Sequence, residues 1–177
     1  MGSTAKDCYF SDVIVRNNDG SNASLAKIID SFPLLEYFNS TNMFISSPNI
    51  SKTTVKELLE TSKFATLKQF NLNGISEDFD IESFYKFLKK NRTMDIHLHF
   101  KNNLSKNFCK TRKAVIKKIL KLSNTKDFWP PCISTAQEER LSKKTLAAHE
   151  RYSKKSIHVF SVVRIKIKTK FIFKILF

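Results

Sequence analysis

Glycine is nearly missing from this chain, with three residues in 177, and proline and cysteine are scarcely commoner at four and three. Gly20 and Gly74 stand alone, so no glycine-rich loop of the kind whose backbone amides cradle phosphate can be drawn. Few glycines and prolines, with 41% hydrophobic residues and sixteen phenylalanines, also exclude a compositionally disordered chain. Cys8, Cys109 and Cys132 are too far apart for a zinc knuckle or a redox pair, and an odd number does not make a disulfide framework. That points to a reducing compartment. No apolar run after Met1 has signal character, and none reaches the roughly 18 to 20 uncharged residues of a membrane helix. The expectation is an intracellular protein, cytoplasmic or nuclear, with no transmembrane span. Five Asn-x-Ser/Thr triplets, starting at Asn22, Asn39, Asn49, Asn91 and Asn103, would invite glycans in a secreted chain. Ser24, Ser51 and Ser105 in or near them are better explained as helix caps.

Acidic residues are scarce in one part only. Residues 1–100 hold 11 Lys and Arg against 12 Asp and Glu, whereas residues 101–177 hold 20 against 4, so the formal charge of +15 arises entirely in the last part. The two parts are different physical objects.

The hydrophobic pattern is regular. In "FDIESFYKFLKKNRTMDIHLHF", Ile81, Phe84, Phe87 and Leu88 keep the spacing of one helical stripe, with Asp80 placed to cap it, Lys89 and Lys90 at its negative end, and Asn91 as a left-handed stop. From Thr93 the period becomes two: Met94, Ile96, Leu98 and Phe100 share one face, and Asp95, His97 and His99 the other. That unit repeats. Strands are expected at Asp12–Asn17, Leu34–Asn39 and Thr66–Ile75, and helices at Ser24–Ser31, after the cap Ser51 or Thr53, and after the cap Ser105. The units begin near Val13, Leu34, Leu67 and Met94, at spacings of 21, 33 and 27 residues.

Periods of this size with one strand and one helix per unit belong to leucine-rich-repeat-like solenoids, and Leu67-x-x-Phe70-x-Leu72-x-x-Ile75 is close to the LxxLxLxx repeat core. The expected fold class is therefore α/β, with short alternating strand–helix units forming an LRR-like curved parallel sheet; a compact two- or three-layer α/β domain is the alternative. The domain is expected over residues 10–132. Residues 133–177 read as a basic tail, either a charged helix followed by an amphipathic strand or a disordered segment. From Val163 that strand alternates apolar and cationic residues, which suits addition to a sheet edge or a membrane surface. Its Lys, Ile and Phe vocabulary is also what A/T-rich DNA yields when a reading frame overruns its exon.

Nothing in the pattern carries catalysis, so no enzyme and no cofactor is expected. His97 and His99 lie roughly 7 Å apart on one strand face and could begin a metal site. Spacing names no third ligand, so a solvated pair and no metal are expected, with Asp95, His97 and His99 as candidate protein-binding residues on the wet face. Glu77, Asp78, Asp80 and Glu82 cluster at a helix start, where capping and the helix dipole account for them. The helix over residues 105–122 offers Lys106, Lys110, Arg112, Lys113, Lys117, Lys118 and Lys121 as candidate anion-binding residues, for nucleic acid or anionic lipid. Long basic stems also serve simply as a solvated outer face.

The phrase "ISEDFDIESFYKFLKKNRTMDIHLHF", followed by "LSKNFCKTRKAVIKKIL" and "WPP" at Trp129 to Pro131, resembles the C-terminal part of the F-box-associated proteins expanded in nematodes. "IIDSFPLLEYF" and "TLKQFNLNGI" resemble that family's earlier LRR-like units. The likeness covers about residues 10 to 132. It implies a non-enzymatic protein-interaction module, the substrate-binding arm of a ubiquitin-ligase receptor, with the Skp/cullin machinery as partner by analogy. With a first strand near Asp12, the chain would be such an arm lacking the F-box itself. The alternative is a basic nucleic-acid or membrane-surface binding protein using residues 105–122 and the tail.

Overall fold

The computed structural model describes residues 4–11, 13–41, 50–125, 128–135, 139–153, 166–168 and 172–174. The helices form where the apolar stripes required them. Ser24 caps α1 (Leu25–Asp30) by accepting from the Lys27 amide, and Asp80 Oδ1 caps α3 (Ile81–Lys90) by accepting from the Ser83 amide at 3.0 Å. Ser105 does the same for α4 (Lys106–Leu122), accepting from Phe108. Two caps differ from expectation. At α2 (Thr54–Glu60), Thr53 occupies the cap position in a helical conformation, φ −90° and ψ −13°, and makes no side-chain cap bond; its hydroxyl donates to Glu57. Asn91 ends α3 in an extended conformation, φ −104°, rather than the left-handed one, and its amide still bonds the Phe87 carbonyl.

The strands are β1 (Asp7–Ser11), β2 (Ile14–Arg16), β3 (Tyr37–Thr41), β4 (Gln69–Ile75), β5 (Asp95–Phe100) and β6 (Cys132–Ser134). The fold is α/β, with alternating strand–helix units and a sheet in which β1, β3, β4, β5 and β6 lie side by side, all parallel, in chain order. The helices follow the same order, each packing on the next. Register aligns the side chains into rows. Cys8, Phe38, Phe70 and Ile96 form one row facing the helices, and Phe10, Ser40, Leu72, Leu98 and Ile133 the next, all buried. Phe70 lies at the centre, its ring 5.7 Å from Phe38, 5.0 Å from Phe64 and 6.4 Å from Phe84. Phe100 meets Phe108 of α4 at 5.7 Å. This phenylalanine ladder is the seam between sheet and helix layer, where aromatic burial contributes most.

Several boundaries move. The strand expected over Asp12–Asn17 is β2, which lies outside the large sheet; that sheet takes β1 instead, just before it, which begins before the expected domain start at residue 10. The limit expected at 132 falls on the first residue of β6, so the sheet continues beyond it. Then α5 (Glu139–Ser153) packs along β6. The sequence misplaced this end because β6 is only three residues long, too short to show a period. Of the tail strand, Lys166–Lys168 (β7) pairs in parallel with β1 and Ile172–Lys174 (β8) with β2. The rest of residues 154–177 lies outside the described residues.

At the β6 edge, α5 performs a specific task. Thr145 Oγ1 accepts from the Ile133 amide at 3.2 Å and donates to the Ile133 carbonyl at 2.7 Å. Ser142 Oγ accepts from the Thr135 amide and is 3.3 Å from its carbonyl. His149 Nδ1 lies 2.9 Å from the Pro130 carbonyl. Ser142, Thr145 and His149 share one helical face, so α5 supplies side-chain partners to an edge strand that would otherwise present a row of unpaired backbone groups.

Candidate functional site

The second face of the sheet carries polar rows. Tyr9, Asn39, Asn71, His97 and Cys132 are in register across five strands, flanked by Asp7, Tyr37, Gln69 and Asp95 on one side and by Asn73, His99 and Ser134 towards the strands' ends. These side chains are half-buried. They alternate with the core rows because successive strand residues point to opposite faces. Gly74, at φ 71°, permits the bulge that shifts the register after Asn73. A cavity of about 940 Å³ opens over the beginning of this face, lined by Asp7, Tyr37, Asn39, Gln69, Asn71, Asp95, His97 and Trp129 with the turn at Ala65–Lys68. A smaller depression of about 430 Å³ between α1 and α2 gathers no comparable set of side chains.

At one end of the cavity three titratable groups converge. His97 Nε2 is 3.0 Å from Asp95 Oδ1, and His149 Nε2, arriving from α5, is 3.3 Å from the same oxygen. The two imidazole rings meet edge to face, centroids 4.6 Å apart. Asp95 Oδ2 accepts from the Gln69 amide at 2.8 Å, fixing the carboxylate. Oδ1 is buried yet has no hydrogen bond of good geometry, despite its two close nitrogens. Trp129 closes the group, its ring 5.8 Å from His149 and its own backbone amide bonded to Arg92.

Burial and neighbours push these groups apart. Burial alone would raise Asp95, but His97 and His149 beside it, with the Gln69 amide, hold it below the usual carboxylate range. For His97 burial opposes charge, and Asp95 and the Cys132 thiol more than offset it, raising it to about 9. His149 is lowered, first by burial and also by His97, against the pull of the Pro130 carbonyl and Asp95. His99 is lowered by burial alone.

The sequence-derived candidates thus divide. Asp95 and His97 meet as expected on one strand face, but they engage His149, so the solvated His97–His99 pair is corrected. His99 instead places Nδ1 2.8 Å from Ser134 Oγ. Glu77 of the acidic cluster does more than attend a helix start: its Oε2 accepts from the Ser105 amide at 2.9 Å, tying the α3 approach to the α4 cap. In the sequence His149 is one of four scattered histidines and cannot be joined to Asp95 and His97, because a single histidine in a charged helix carries no periodic signal. The polar spacing Ser142, Thr145, His149 was the trace it left.

On α4, Lys106, Lys110, Lys113, Lys117, Lys118 and Lys121 are exposed, as a cationic face requires. Arg112 is the correction. It is 1% exposed and its guanidinium stands 5.5 Å from the Phe100 ring centre, so it belongs to the core side and is removed from the anion-binding set. Its position repeats the stripe of Phe108, Val115, Ile116 and Ile119; its charge suggested the wrong face. Lys118 lies 5.9 Å over the Tyr85 ring, partly committed to α3. No helix among the described residues is long and apolar enough to cross a membrane.

No protein-family model, no curated protein and no solved structure matches this chain.

Proposed function

We propose that this protein is a non-enzymatic interaction module that binds a segment of another protein on the polar face of its sheet. The observation that carries this reading is the register itself: five parallel strands present Tyr9, Asn39, Asn71, His97 and Cys132 as one row beside a cavity of about 940 Å³. The helices pack on the other face through the phenylalanine ladder. Amide, phenol and imidazole groups offer donors and acceptors at fixed spacing on rigid strands, which suits recognition of a polypeptide better than chemistry on a small molecule. The resemblance to F-box-associated arms supplies a specific version, substrate recognition for a ubiquitin ligase. That version requires the Skp/cullin machinery to be recruited by another domain.

The exposed lysines of α4 support a second reading, binding of nucleic acid or anionic lipid. One experiment tests both. A photo-crosslinking residue is placed at Asn71, in the middle of the polar face, or at Lys113, on the outer face of α4, in the full chain expressed in cells. Discrete protein adducts from position 71 that survive nuclease and moderate salt, and disappear in Asn39→Arg, support the polar face. Adducts only from position 113, lost on nuclease or salt, overturn it in favour of the basic helix.

A further inference from the structure

We propose that Asp95, His97 and His149 form a binding site for a zinc-class divalent metal ion that pins α5 to the sheet. The three donor atoms all lie within 4.8 Å of one another. The two nitrogens are 3.0 and 3.3 Å from Asp95 Oδ1. Ligands about 2.0–2.2 Å from a tetrahedral zinc stand roughly 3.3–3.5 Å apart, close to the two contacts at Asp95; the donors, within 4.8 Å of one another, must draw in around the ion to complete the set. Two imidazoles and one carboxylate are a donor set of borderline softness, suited to zinc and its first-row neighbours rather than to calcium or magnesium.

The Pro130 carbonyl, 2.9 Å from His149 Nδ1, holds the ring so that Nε2 faces the carboxylate. The Trp129 indole N–H donates to the same Nδ1 at 3.3 Å. The surrounding bonds are those that orient metal ligands: a backbone carbonyl on the second nitrogen of His149 and an amide on the second oxygen of Asp95, with Cys132 beside His97 on the neighbouring strand. Three protein donors leave a fourth position for water or for a donor brought by a partner. Asp95 and His97 also line the cavity of the polar face; metal binding requires no partner there.

Zinc is titrated calorimetrically into the chelator-treated full chain, with cobalt as a spectroscopic probe. The expected result is one ion per chain, affinity reduced at least about tenfold in His97→Gln and in His149→Gln, and no change in His99→Gln. Zinc should raise the thermal midpoint of the natural chain and not that of His149→Gln. In the unaltered chain, zinc should slow diethylpyrocarbonate modification of His97 and His149 without protecting His99, a readout that does not depend on any variant folding. Absence of saturable binding at millimolar zinc, binding retained in both histidine variants, or equal modification rates with and without zinc would each overturn the site.

Discussion

Replacing Thr145 by Val changes one hydroxyl to a methyl with little change in shape, at a residue 1% exposed. The hydroxyl accepts from the Ile133 amide and donates to the Ile133 carbonyl. Its 3.0 Å contact with the Ser142 carbonyl competes for the same proton, which the shorter 2.7 Å bond takes. Valine therefore leaves a buried N–H and a buried C=O without their partner, on the outer side of a strand whose inner side already pairs with β5. Each orphaned group costs about 1–3 kcal/mol, so the expected destabilisation for the two is roughly 2–6 kcal/mol. With a slope of about 2 kcal/mol per M in urea, the unfolding midpoint should fall by about 1–3 M. Thr145→Ser keeps the hydroxyl and loses only a methyl, and should lie within about 1.5 kcal/mol of the natural chain. Unfolding followed by circular dichroism and by Trp129 fluorescence reads the whole domain and the α5 end separately. A Val variant within about 0.5 kcal/mol of the natural chain would refute the reasoning, because it would behave as a solvated surface substitution and α5 would not be seated on β6.

Phe70→Ala should cost about 3–5 kcal/mol by denaturant unfolding, because it opens a cavity in the middle of the phenylalanine ladder; a loss below about 1 kcal/mol would mean that the ladder is not the seam. Arg112→Ala should destabilise by about 2–4 kcal/mol through lost packing of a buried guanidinium on Phe100, while Lys113→Ala or Lys117→Ala should stay within about 0.5 kcal/mol. The same three variants assayed for anion binding should show the reverse order. Burial, with a smaller push from Asp7, raises the Cys8 thiol from an ordinary value of 9.0 to about 12. The folded chain should therefore keep this thiol unreactive at pH 8 while Cys109 and Cys132 label, as peptide mapping after alkylation would show; equal labelling of all three would contradict the burial. The sign of the linked stability follows: the folded state holds a proton that the unfolded chain releases above about 9, so this contribution is intact below pH 9 and is lost as pH rises towards 12.

The local pattern determined the elements and the faces they bury. Period-two spacing at Met94–Phe100 and the helical stripe Ile81, Phe84, Phe87, Leu88 became β5 and α3, because side-chain direction along an element is set by backbone geometry alone. Alternating units in one chain also sufficed to foretell a parallel α/β sheet, since a strand followed by a helix returns most readily to a parallel neighbour. Three things needed the tertiary structure. β6 is a strand only because β5 and α5 satisfy its backbone on both sides. Arg112 is inside because the stripe to which it belongs is buried by its apolar members, and its long stem follows them against Phe100. His149 reaches Asp95 and His97 because α5 must lie along the β6 edge to cap it, and that placement carries the imidazole around to the polar face. Register across strands and contacts between distant elements arise from packing, and packing leaves little trace in the local spacing from which a sequence is read.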